Sequence, residues 1–224
     1  MAAWVFLAFA FASVDAEPAP ALTLVWHDSA RLFPQVGLAL LAEEMETLFR
    51  ENGLAVRFRA AAENENLRTI PEPRVNALVI PREDWRLGLP RNTMAATLGE
   101  SGKKQTIFVF YPGVRRTLGH REGDTSPRHL AELSRALARV VAHEVVHVLV
   151  PERGHAASGL MSESLGRMEL LAEAIDLDGP SRESASAALA EQGCGSPGSK
   201  FPIPAESLRS IVQPEVPTIC PCGR

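Results

Sequence analysis

Two histidines four residues apart, with a glutamate directly after the first, stand at His143, Glu144 and His147. Successive residues of an α-helix turn by about 100°, so the two imidazoles lie one turn apart on one face and can reach a single metal ion. Glu144 projects about 60–100° away from them around the axis, an angle that suits a carboxylate beyond the ligands better than a third ligand. The chemistry of such a set is metal-assisted hydrolysis, in which zinc polarises a water and the carboxylate takes its proton. A third imidazole follows at His155, after Val150-Pro151-Glu152-Arg153-Gly154, and Ser158-Gly159-Leu160-Met161 comes next.

The motif needs a helix beneath it, and the sequence supplies one. Ser126 is a natural N-cap and Pro127 a natural first helical residue. Leu130, Leu133, Leu137, Val141, Val145 and Val148 recur at helical spacing and predict the buried stripe. The face carrying His143 and His147 continues through Ala136 and Val140, which are small and leave room for a groove. Pro151 disfavours helical geometry at Val150 and predicts the end of the helix there. Gly154 is then expected to take a positive φ and turn the chain back toward the metal.

These residues resemble the metzincin metallopeptidases, whose pattern is H-E-x-x-H-x-x-G-x-x-H followed by a Met-turn. The resemblance implies His143, His147 and His155 as ligands of one catalytic zinc ion, Glu144 as general base and Met161 as the Met-turn residue. It implies a protein or peptide substrate, and an edge strand near residues 94–100 that binds an extended peptide by strand addition. Three departures stand out. Val150 occupies the family's glycine position, His155 comes two residues later than the strict spacing, and no tyrosine follows the Met-turn, the only one being Tyr111.

Two other readings compete with the zinc endopeptidase. In a gluzincin-type metallopeptidase the third ligand is a glutamate on a later helix, and Glu169 and Glu173 lie one turn apart on a segment that reads as helix. Gly154 and the Ser-Gly-Leu-Met segment make sense only with His155. The second competitor is a non-catalytic zinc- or peptide-binding module. A purely structural site closes all four positions and has no use for a base, so Glu144 argues against it.

The rest of the chain reads as an α/β layer. Strands are expected at 22–26, 54–58, 77–80 and 106–111, with a short edge strand at 94–98 and a helix at about 36–52 closed by Gly53. The polar stretch 62–68 and the segment 100–104 read as loop and turn, and Pro112-Gly113 opens a loop containing His120 that leads to the histidine helix. Helices are expected over 165–175 and 182–192. The fold class is therefore α/β, and the resemblance implies a zincin-like form of it: a twisted mixed sheet, one backing helix, an active-site helix, and a small C-terminal subdomain, irregular or helical. The catalytic unit spans 17–194, with its upper part to about 150 and its lower part 151–194. His27, His120 and His129 read as surface, loop and first-turn residues.

Composition narrows the partners. With 23 Lys and Arg against 27 Asp and Glu, the net charge of −4 gives no reason to expect nucleic acid. The apolar run Trp4 to Ala12 before Val14-Asp15-Ala16 predicts a signal peptide over 1–16 and a secreted or periplasmic protein. The run is too short for stable membrane insertion. Cys194, Cys220 and Cys222 all lie C-terminal, where a bridge from Cys194 to one of the others is the simplest pairing. The prolines of 195–224 predict an extended tail. No cysteine precedes the histidine motif in this sequence, so latency through an N-terminal thiolate is not expected, while a tail thiolate could reach the metal. Oligomeric state is not legible in the sequence.

Overall fold

The computed structural model describes residues 22–62, 73–81, 89–90, 92–98, 106–121 and 123–193. The expected signal peptide, the three cysteines, the Pro-rich tail, most of the 62–68 loop and the 100–104 turn lie outside the described residues. Five strands, β1 (Leu22–His27), β2 (Val56–Ala60), β3 (Arg74–Ile80), β4 (Ala95–Leu98) and β5 (Thr106–Phe110), form one sheet. Their order is β2-β1-β3-β5-β4. All neighbours run parallel except β4, which is antiparallel to β5 and lies at the edge. The mixed α/β sheet expected from the sequence is therefore present.

Register puts the apolar residues on one face. Leu24 pairs Val75, Trp26 pairs Ala77, Ala77 pairs Ile107 and Val79 pairs Val109, and all of these are buried. Alternation along each strand is what places them together. The helix α1 (Gln35–Glu51) links the parallel strands β1 and β2 and buries Gly37, Leu41, Met45 and Leu48. Each large side chain so buried contributes about 1.5–3 kcal/mol. At the end of α1, the buried Asn52 donates from Nδ2 to Leu48 O (2.9 Å) and accepts from Leu177 N (2.7 Å). One amide thus closes the helix and anchors the C-terminal segment.

The long helix α3 (Pro127–Leu149) starts as expected, with Ser126 Oγ accepting from His129 N. The predicted stripe is present, but burial goes further. Ser134, Ala138, Arg139, Ala142 and Val146 are also buried, so the helix is enclosed nearly all round from Leu133 onward. It packs against α1, β4 and β5 and also against the later helices, which a one-sided apolar pattern cannot reveal.

Three expected elements differ. The Arg- and Gly-rich stretch after β5 is not a loop but begins with the helix α2 (Tyr111–Leu118). Pro112 lies in its first turn, Val114 and Leu118 are buried one turn apart, and Gly119 closes it at φ +70°. The helix expected over 165–175 is only α4 (Arg167–Leu171). The Arg139 guanidinium takes the carbonyls of Glu169 (2.6 Å) and Ala172, and Ala172 itself is extended at ψ 153°. The second C-terminal helix is α5 (Gly179–Gly193), which starts earlier than expected. Among the described residues no helix is long and apolar enough to cross a membrane.

Gly113 illustrates how tightly β4 is held. A Cβ there would overlap the backbone carbonyl oxygen of Thr93, just before β4. Gly113→Ala is expected to destabilise the protein by about 1–3 kcal/mol, the usual range for overpacking, read as a lower urea midpoint at constant slope. An unchanged midpoint would show that α2 and the lead into β4 shift freely.

Candidate metal centre

His143 and His147 project from the last two turns of α3 with side chains buried against the C-terminal segment. The helix stops where Pro151 predicts: Val150 has left the helical region, at φ −134°, ψ 73°. The chain then reverses through a turn in which Arg153 N donates to Val150 O (3.0 Å). Arg153 fixes that turn, with Nε 3.0 Å from Ser181 Oγ and Nη2 3.1 Å from Asp178 Oδ1 at the start of α5. Gly154 does not take the positive φ expected of it; the left-handed glycine of this region is Gly159, at φ +80°. The reversal comes from Pro151 and the Arg153 clamp, leaving Gly154 no special conformation to supply.

The reversal brings His155 to the other two rings. The Nε2 atom of His147 lies 3.0 Å from that of His143 and 3.3 Å from that of His155. The ligand-capable atoms of all three lie within 4.8 Å of one another, and they form the one such His/Cys/Asp/Glu group among the described residues. The His147 ring stands nearly edge-on to both neighbours, at 70° to His143 and 88° to His155.

The turn after His155 fixes the first ring. Ala156 N donates to Met161 O (2.7 Å), Ser162 N to Gly159 O (3.1 Å), and Leu160 N to Asp176 O (2.9 Å). The Leu160 carbonyl then accepts from His143 Nδ1 at 2.7 Å. That bond places the ring proton on Nδ1 and leaves the Nε2 lone pair facing the other rings. Met161, in the same turn, is fully buried.

This donor set fits a zinc ion. Zinc–nitrogen bonds of about 2.0–2.1 Å at tetrahedral angles put ligand nitrogens about 3.3–3.4 Å apart, close to the 3.0 and 3.3 Å that separate His147 Nε2 from its two neighbours. Burial pushes the His143 imidazole down to about 3, with the neighbouring rings adding to the effect and the Leu160 bond opposing it. Burial, then His155, pushes His147 down to about 4. Neutral imidazoles are the form that binds a metal. The three histidines can therefore hold a metal ion.

Glu144 is buried, and Thr97 Oγ1 donates to its Oε2 at 2.6 Å. Thr97 belongs to β4, 47 residues away in sequence, and no local pattern marks it. Arg139 and Arg153 also escaped the sequence reading. Arg139 carries a signal, since it is a charge one turn before His143 in an apolar run.

The other candidates do not join the group. Glu169 and Glu173 are exposed, and Glu169 contributes its backbone carbonyl to Arg139 instead. His129 lies 14 residues before His143 on the same helix, about 21 Å along the axis. It pairs with Asp124 and packs on His120, whose Nε2 is 3.0 Å from Glu132 Oε2. His27 Nε2 is 3.2 Å from Asn76 Oδ1, a strand-end contact.

No protein-family model matches the sequence, and no curated protein matches it. Among solved structures, the chain is similar to archaemetzincin from Methanopyrus kandleri. The alignment covers 75% of this chain and 94% of that one, at 14% identity and a TM-score of 0.46.

Proposed function

We propose that this chain is a zinc-dependent endopeptidase of metzincin-like design, with His143, His147 and His155 holding one zinc ion and Glu144 as the general base. The observation that carries the reading is the convergence of three imidazoles, His143 and His147 from a helix that also holds a buried glutamate and His155 from the turn after it, with His143 oriented by the Leu160 carbonyl. A closed structural site takes four protein ligands, whereas three leave a position open for chemistry.

Zinc, when bound, supplies Lewis acidity for a scissile carbonyl and a water. The chain's own residues do the rest. The Glu144 carboxylate takes a proton as water attacks the peptide carbonyl, then delivers it to the nitrogen of the leaving amine. Burial shields that carboxylate from bulk water, and Thr97 fixes one of its oxygens. The outer edge of β4 has no strand partner among the described residues, and an extended peptide is proposed to pair there. Met161 is proposed as the packed floor of the site. Secretion or periplasmic export is proposed from the apolar run Trp4 to Ala12.

Metal content of the purified chain tests the reading, compared across the parent, His155→Ala and a Glu169→Ala/Glu173→Ala variant. About one zinc per chain is expected in the parent and the double glutamate variant, and little in His155→Ala. Zinc lost only in the glutamate variant would transfer the third ligand to the C-terminal segment. No zinc in the parent after reconstitution would remove the enzyme reading. Zinc held without cleavage of any peptide in a broad library would favour a binding module.

A further inference from the structure

We propose that Thr97 is the positioning residue of the general base, so that the edge strand β4 carries part of the catalytic machinery. The inference rests on the reading of Glu144 given above and adds to it a residue from another element. Thr97 pairs with Ile107 across the β4–β5 ladder, and it shares the face of Ile107 and Val109, both fully buried. From there its hydroxyl reaches Glu144 Oε2 at 2.6 Å, the length of a charge-assisted O–H···O bond. The backbone of the strand is fixed by β5 on one side and by the Phe110 N to Met94 O bond (2.8 Å) at its start. Gly113 packs against the carbonyl just before it. The hydroxyl is thus presented by a rigid frame and not by a loop.

The residue type suits a base that must change protonation state. A lysine or arginine here would favour the carboxylate and resist its protonation. A threonine hydroxyl carries no charge and can donate to Oε2 both when the group is ionised and when the proton sits on the other carboxyl oxygen. It can hold the same oxygen before and after the proton moves. Valine has nearly the same shape and cannot do this, while serine keeps the hydroxyl and loses only a methyl group.

The test compares the parent with Thr97→Val, Thr97→Ser and Glu144→Gln. With zinc at about one per chain throughout, Thr97→Val is expected to lower kcat on the order of 10- to 100-fold with little change in KM. Thr97→Ser should recover most of that loss. A readout independent of turnover is the melting temperature of the metal-free chain. Thr97→Val should lower it by about 5 °C, and the drop should vanish in a Glu144→Ala background. Thr97→Ala reads the same way if the valine variant does not fold.

A Thr97→Val kcat within twofold of the parent, with Glu144→Gln inactive, would overturn the positioning role and leave the peptidase reading intact. A serine variant no better than valine, or zinc lost from the valine variant, would also overturn it. A parent without zinc would remove the peptidase reading, a Glu144→Gln variant as active as the parent would remove Glu144 as the base, and the role of Thr97 falls with either.

Discussion

Glu144→Gln is expected to lower kcat for peptide hydrolysis by about 10²–10⁴-fold while leaving zinc bound at about one ion per chain. Glutamine preserves the shape of the buried side chain and still offers an oxygen to the Thr97 hydroxyl. It cannot take a proton from an attacking water at neutral pH. The loss should therefore fall on kcat, with the fold and metal content unchanged. The measurement pairs steady-state kinetics on a quenched-fluorescence peptide with zinc analysis of the same preparation. Activity within threefold of the parent would show that another group accepts the proton. Loss of zinc would place Glu144 among the ligands.

Gly159→Ala is expected to cost about 2–4 kcal/mol and to weaken zinc binding about 10- to 100-fold. Two features act together. The backbone at Gly159 is left-handed, at φ +80°, and an added Cβ would lie 2.5 Å from the Asp176 carbonyl oxygen. Relieving that overlap breaks the Leu160 N to Asp176 O bond. The Leu160 carbonyl then no longer meets His143 Nδ1, so stability and metal affinity fall together. Gly154→Ala is the matched control: its φ is not positive and its Cβ would meet nothing within 4 Å, so a change below about 0.5 kcal/mol is expected. Thermal unfolding of the metal-free chains, with zinc competition against a chelator, measures both effects. Equal behaviour of the two variants would show that the 159–161 turn does not orient His143.

Elements whose signal is local were legible along the chain. The spacing of His143, Glu144 and His147 fixes their relative angles once they lie on a helix. Ser126-Pro127 and Pro151 mark the ends of that helix, because capping and ring sterics act over a few residues. Apolar alternation marked the strands of the sheet, and the Thr97 segment was readable as a strand at an edge. The α2 helix was not legible, since its eight residues carry two buried apolar side chains and a composition that also suits a loop.

The rest was set by interactions that join residues far apart in the chain and leave no local pattern. Whether His155 meets the other rings depends on Arg153 finding Asp178 and Ser181, 25 and 28 residues later. The length of α4 is set by Arg139, about 30 residues earlier, taking its carbonyls. The tautomer of His143 follows from a carbonyl 17 residues on, and the hold on Glu144 from a hydroxyl 47 residues back. Local spacing chooses which groups can face a metal. Hydrogen bonds across the fold decide which of them do, because only they hold a ring or a carboxylate in one orientation.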